Sequence, residues 1–128
     1  MKALIVDDVE MNRELIAIFL EGRGTSVFAE SGEQALLLVE DALQTDAYFD
    51  LICMDISMPG MDGHEALKKI REAEELSGGK RATVFMVTGS SSPDDMFDAL
   101  INGGCDDYLT KPLMQQSFSD LLVKHGVC

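Results

Sequence analysis

Residues 51 to 63 read Leu-Ile-Cys-Met-Asp-Ile-Ser-Met-Pro-Gly-Met-Asp-Gly. Four apolar side chains run straight into one carboxylate, Asp55, and a turn rich in Pro and Gly follows at once. A short continuous apolar run bounded by turn residues reads as a strand buried on both faces. Asp55 then stands where that strand ends, at the rim of a sheet. Open α/β sheets bind ligands just beyond the carboxyl ends of their strands, so Asp55 is a candidate for chemistry.

The same pattern opens the chain, where Ala3-Leu4-Ile5-Val6 ends in Asp7-Asp8. Residues 10 to 21 carry a helical stripe of Leu15, Ile16, Phe19 and Leu20, ended by Gly22 and Gly24. Ser26 to Ala29 is a second strand. Ser31 and Gln34 have capping-box spacing, which predicts a helix to about Leu43 that buries Ala35, Leu38, Val39 and Ala42. A loop over 44 to 50 leads to the Asp55 strand. Asp62 has cap-like spacing to Glu65, and the helix behind it carries Ala66, Leu67, Ile70 and Ala73 on one side, broken by Ser77-Gly78-Gly79. Thr83 to Val87 is a fourth strand, ending at Thr88-Gly89. Ser92-Pro93-Asp94-Asp95 opens a helix with Ser as cap and Pro in the first turn, closed by Gly103-Gly104. Asp107-Tyr108-Leu109 is a fifth strand, and Thr110-Lys111-Pro112 follows. A last helix is expected to bury Met114, Phe118, Leu121 and Leu122. Strand and helix alternate five times, which implies a parallel sheet with helices on both faces and right-handed crossovers. The 128 residues suit one domain, 1–128, with nothing left over for a second.

A net charge of −13 argues against nucleic-acid and anionic-membrane binding, which need Lys/Arg patches. It suits a protein that meets a cation or basic partner surfaces. No basic segment followed by an apolar run opens the chain, and no apolar stretch approaches the roughly 20 residues that span a bilayer. Cys53, Cys105 and Cys128 have no paired spacing, which favours a reducing, cytoplasmic setting. Cys53 reads as a buried hydrophobe and Cys105 as structural. His64 and His125 are isolated and read as surface residues.

In a parallel sheet the strand ends share one edge. That edge collects Asp7, Asp8, Asp55, Thr88 and Lys111. Three carboxylates at close range repel one another and push a pKa up. A hard divalent cation such as Mg²⁺ resolves the repulsion with oxygen ligands. Lys111 is suited to one phosphoryl oxygen and Thr88 to another. These are the parts of a phosphoryl-transfer site, in which a carboxylate can be the nucleophile.

The chain resembles a two-component response-regulator receiver domain of the single-domain chemotaxis type. The resemblance spans residues 2 to 124. It rests on Val6-Asp7-Asp8, on Met54 through Gly63, on Thr88-Gly89 and on Asp106 through Pro112. It implies a flavodoxin-like, doubly wound five-stranded parallel sheet of order 2-1-3-4-5 with five helices on both faces. It also implies that Asp55 accepts a phosphoryl group from the phosphohistidine of a histidine kinase or phosphotransfer protein. Asp8, Asp55 and the Ser57 backbone carbonyl would ligate Mg²⁺, or Mn²⁺ in its place, with Asp7 acting through water. Thr88 and Lys111 would contact the phosphoryl oxygens, and Tyr108 would swing inward as a switch. The Lys111-Pro112 bond would be cis. Ser57, Gly89 and Ser90 stand where the family tunes dephosphorylation; being small, they are expected to admit water.

Met11, Leu15, Met58 and Pro112 are expected to surround the mouth of the site as a partner surface. Residues 93–122 would carry the readout to a downstream protein. Such a domain is not an enzyme beyond its own phosphorylation and dephosphorylation. It is expected to be a cytoplasmic monomer without an output domain, and Met1 directly before the first strand favours a free-standing protein over a segment of a hybrid kinase. Two other readings are an unphosphorylated adaptor of the same fold and an Asp55-dependent small-molecule phosphatase. The intact acidic set speaks against the first. Ser57, where the dehalogenase-type phosphatases prefer a second Asp, speaks against the second.

Overall fold

A computed structural model describes residues 1–89 and 104–127. Five strands, β1 (Lys2–Val6), β2 (Thr25–Ala29), β3 (Leu51–Asp55), β4 (Thr83–Thr88) and β5 (Asp107–Thr110), form one parallel sheet in the order β2-β1-β3-β4-β5. The register aligns Val6 with Met54, Asp55 with Val87, and Thr88 with Thr110. The strand ends that carry chemistry therefore lie side by side. Four helices stand among the described residues: α1 (Glu10–Phe19), α2 (Gly32–Thr45), α3 (Gly63–Ser77) and α4 (Gln115–Lys124). The helix expected to open at Ser92-Pro93 and close at Gly103 lies outside the described residues.

The strands alternate their side chains between two cores. Leu4, Val6, Ile52, Met54, Val84 and Met86 face one side, where Ala35, Val39 and Ala42 of α2 and Ala66, Leu67 and Ile70 of α3 cover them. Ala3, Ile5, Leu51, Cys53, Phe85 and Leu109 face the other, under Ile16 and Phe19 of α1 and Phe118 and Leu122 of α4. Every residue of β3 is buried, which is why its sequence shows an unbroken apolar run rather than alternation. At the edge of the sheet β2 leaves Thr25, Ser26 and Phe28 exposed.

Local chemistry sets the helix starts. Ser31 Oγ accepts the Gln34 amide at 3.1 Å, and Asp62 Oδ1 accepts the Glu65 amide at 2.9 Å. The reciprocal half of the Ser31 box lands one residue upstream: Gln34 Oε1 accepts the Glu30 amide at 2.7 Å. The helix α2 runs two residues beyond the expected end at Leu43 and stops where Asp46 turns left-handed, with φ of 59°. Leu38 and Leu121 are only partly buried. Met114 is not in the core at all: it is the N-cap of α4, 61% exposed, because the helical phase starts one residue later. His125 is no isolated surface residue either. Its Nε2 lies 3.0 Å from Asp107 Oδ2 and its ring 5.5 Å from that of Phe85, so it ties the end of α4 to the start of β5. Cys53 and Cys105 are both buried, and burial pushes the Cys105 thiol up to about 11, far from a reactive thiolate. Among the described residues no helix is long and apolar enough to cross a membrane.

An ion-pair network closes the edge of the sheet opposite Asp55. Arg71 donates to Glu74 Oε1 at 2.7 Å, the Ala82 carbonyl at 2.9 Å, the Gly104 carbonyl at 3.0 Å and Asp106 Oδ2 at 3.2 Å. Asp106 also accepts from Arg81 at 2.9 Å and from the Val84 amide at 2.8 Å. Burial alone would raise the Asp106 carboxyl, but the Arg81 and Val84 bonds and the two guanidinium charges outweigh it and hold it below the usual range. A carboxyl with a lowered folded-state pKa stabilises the fold above its unfolded value and stops doing so as the pH falls through the folded one. Asp106→Ala is therefore expected to cost about 2 kcal/mol in urea unfolding at neutral pH. The deficit should shrink as acid protonates the wild-type carboxyl; a deficit that stays constant through the carboxylate range would contradict this network.

Candidate functional site

The site is the carboxyl edge of β1, β3, β4 and β5. Asp7 and Asp8 follow β1, Asp55 ends β3, Thr88 ends β4 and Lys111 follows β5. Asp7, Asp8 and Asp55 each offer an oxygen within 4.8 Å of the others. Asp7 and Asp55 are almost wholly buried, at 1% and 3% exposure, while Asp8 is exposed. The ammonium of Lys111 lies 3.5 Å from Asp55 Oδ1 and 3.8 Å from Asp7 Oδ2. Thr88 is buried, one residue beyond Val87, the register partner of Asp55. Burial, then the charge of Asp7, raises the Asp55 carboxyl above its ordinary range; Lys111 and the Ser57 amide oppose that shift without cancelling it. One lysine thus faces three acids, and only two of them at close range.

Backbone geometry holds this arrangement. Asp7 Oδ1 accepts the Val9 amide at 2.9 Å, which substitutes for a side-chain cap at the start of α1. The Lys111 amide donates to the Thr88 carbonyl at 2.8 Å, so the loop bearing the lysine is an extension of the β4–β5 ladder. The Lys111–Pro112 bond is cis. A side chain at residue 63 would collide with the chain that follows Asp55: a Cβ on Gly63 would lie 2.4 Å from the Asp55 carbonyl oxygen. Only glycine lets α3 start this close to the site.

The donor set suits a hard divalent cation. Carboxylate oxygens at close quarters, two of them nearly dry, are expensive without a counter-charge. The structure places Asp7, Asp8, Asp55, Thr88 and Lys111 at one edge of the sheet, where the sequence reading expects them. Ser57 is exposed on the loop after β3 and Gly89 is exposed after β4, whereas Ser90 lies outside the described residues. Tyr108 is half-buried against the core on the α2–α3 side. Of the four expected partner-surface residues, Met11 (77% exposed), Leu15 and Pro112 are at the surface. Met58 is not: it is buried at 8% exposure, folded back into the core because the chain reverses at Pro59-Gly60.

Two positioning residues escape the sequence reading. Arg13 is buried in α1, and its guanidinium donates to the Asp7 carbonyl at 2.7 Å. It lies one turn before Ile16, so helical phase could have found it. Glu33, in the first turn of α2, accepts the Met61 amide at 2.8 Å from 28 residues away. Nothing local marks that contact.

Comparison with known proteins agrees with this geometry. The family model of the response regulator receiver domain matches residues 3–122. The sensor histidine kinase GacS of Pseudomonas protegens is 36% identical over 123 residues, which are 96% of this chain but 13% of that protein. Hybrid signal transduction histidine kinase A of Dictyostelium discoideum is 35% identical across 98% of the chain, which is 6% of its own length. The chain thus spans a small fraction of these kinases. The two-component response regulator ORR41 of rice is 36% identical, and there the match covers 96% of this chain and 92% of that protein. Among solved structures, the receiver domain of the histidine kinase CKI1 from Arabidopsis thaliana, complexed with Mg²⁺ and BeF₃⁻, has a TM-score of 0.84 at 30% identity, covering 97% of this chain and 89% of that one. The chemotaxis protein CheY4 of Vibrio cholerae has a TM-score of 0.77 at 28% identity, covering 96% of each chain. The matched residues include every strand end that builds the acidic edge, and the chain belongs to the response-regulator receiver domain family.

Proposed function

We propose that the domain is a phosphoryl-accepting switch in two-component signalling, with Asp55 as the acceptor. One observation carries the reading: three carboxylates converge within 4.8 Å at the sheet edge, with Lys111 only 3.5 Å from Asp55. In transfer from a phosphohistidine, an Asp55 oxygen bonds to phosphorus as the P–N bond breaks, and the electron pair stays on the imidazole nitrogen. Asp8, Asp55 and the Ser57 carbonyl would hold Mg²⁺, with Asp7 contributing through water, and the ion would supply positive charge to offset that of the phosphoryl oxygens. Mn²⁺ has similar oxygen preferences and substitutes. Lys111 pairs with one phosphoryl oxygen and Thr88 donates its hydroxyl to another.

Signalling then works by population shift. The acyl phosphate favours an arrangement in which Thr88 moves toward it and Tyr108 turns inward. The 93–122 face carries that change to a downstream protein. On the input side, Met11, Leu15 and Ile18 form an exposed apolar stripe along α1 at helical spacing. With Pro112 it suits a helix of the histidine kinase or phosphotransfer partner. Similar kinases and regulators of two-component systems support such partners.

With Mg²⁺ and acetyl phosphate, intact-mass measurement is expected to show one adduct of about 80 Da per chain, mapped to Asp55 and absent in Asp55→Asn. Lys111→Ala should slow its formation roughly 100-fold. Rapid turnover of the donor with no adduct accumulating would favour the phosphatase reading, and neither turnover nor adduct the adaptor. Ser57 and Gly89 leave the acceptor open to water, so the acyl phosphate should be short-lived. Ser57→Met is expected to lengthen its half-life several-fold in a phosphate-release assay; an unchanged half-life would argue against water access at this position.

A further inference from the structure

The loop of residues 56–62 carries Ser57, the residue whose carbonyl would complete the metal site. Its base is closed by backbone bonds: the Ile56 amide donates to the Val87 carbonyl and the Gly63 amide to the Ile56 carbonyl, both at 2.9 Å. Its far side leans on the start of α2. Glu33 Oε1 accepts the Met61 amide at 2.8 Å. Gly60 turns left-handed, with φ of 74°, and a Cβ there would lie 3.2 Å from the same Glu33 oxygen. At Gly32 a Cβ would lie 3.0 Å from the Met61 carbonyl oxygen. Glu33 thus holds the Met61 amide, and the backbone at Gly32 passes so close to the carbonyl of the same residue that a side chain there would crowd it. The grip is firm because the turn that bears it is firm: Ser31 caps it, and Gln34 reaches back to the Glu30 amide.

We infer that Glu33 is a positioning residue for the metal-binding loop, acting through the Met61 amide to hold Ser57 where its carbonyl can ligate the cation. The inference rests on the phosphoryl-acceptor reading above. Glu33 itself is exposed, so its bond contributes little to global stability. What it supplies is orientation of a loop that has to present an oxygen at a fixed point, as outer partners of metal sites commonly do. The carboxylate works here as a hydrogen-bond acceptor, so Gln, which keeps one acceptor oxygen on the same stem, should serve in its place.

The test compares wild type, Glu33→Ala and Glu33→Gln by calorimetric titration with Mg²⁺ alone, by amide hydrogen exchange and by thermal unfolding. Glu33→Ala is expected to raise the Mg²⁺ dissociation constant roughly three- to tenfold and to speed exchange of the Met61 amide, with its midpoint of unfolding unchanged. Glu33→Gln should stay within about twofold of wild type in Mg²⁺ affinity. Equal weakening in both variants would mean that only the charge matters and would overturn the inference. So would wild-type affinity in Glu33→Ala, or a loss of affinity that merely follows a fall in the unfolding midpoint. If wild type itself bound no Mg²⁺ and took no phosphoryl group, the function reading would fail and this inference with it. If wild type did both and Glu33→Ala matched it, this inference alone would fall.

Discussion

Repulsion among Asp7, Asp8 and Asp55 is the constraint around which the rest of the molecule is arranged. Two of these carboxylates are nearly dry, and Lys111 is the cation that faces them, at 3.5 and 3.8 Å. Burial first, and the charge of Asp7 second, raise the Asp55 carboxyl. An acid whose folded-state pKa is raised destabilises the fold as the pH climbs past its unfolded value, so at neutral pH the ionised group works against folding. The remainder of the domain sustains that cost, as functional sites commonly require.

The parallel sheet can sustain it because the acids lie at its rim and not within it. Below the rim both faces are covered by apolar side chains: Phe85 packs edge-on against Phe118 beneath α4, and Ile52 and Met54 are sealed beneath α2 and α3. At the opposite edge Arg71 and Asp106 join α3 to β4 and to the chain entering β5. Acidic groups are therefore paired where the fold needs strength and crowded where it needs reactivity. Arg13 and Glu33 link the two regimes. Each is anchored in a helix, and each bonds the backbone of a segment next to the acids.

Much of this was legible in the sequence, for a physical reason. Strands buried on both faces write themselves as apolar runs, so β1, β3 and β4, the acids at the ends of the first two and the threonine that ends the third can be read directly. The caps at Ser31 and Asp62 are local hydrogen bonds between residues three apart, and local rules found them. What the sequence hid is set by distance or by phase. Glu33 and Met61 meet across 28 residues. Met58 is buried because a turn reverses the loop behind Asp55, and no periodicity signals that. Met114 stands one residue before the helix whose core face its spacing matches, and His125 meets Asp107 only because α4 packs back across β5. Arg13 is hidden for a different reason: apolar periodicity does not mark a buried guanidinium that satisfies a carbonyl.

The crowding of carboxylates is the central claim, and thermal unfolding of wild type and Asp55→Asn, each in chelator and in Mg²⁺, tests it most directly. Removing one negative charge should relieve the repulsion, so in chelator the variant should unfold at a higher temperature than wild type. Mg²⁺ should raise the wild-type midpoint through preferential binding to the folded state, and raise that of the variant much less. A variant that unfolds earlier than wild type in chelator, with Mg²⁺ shifting both proteins equally, would contradict the account.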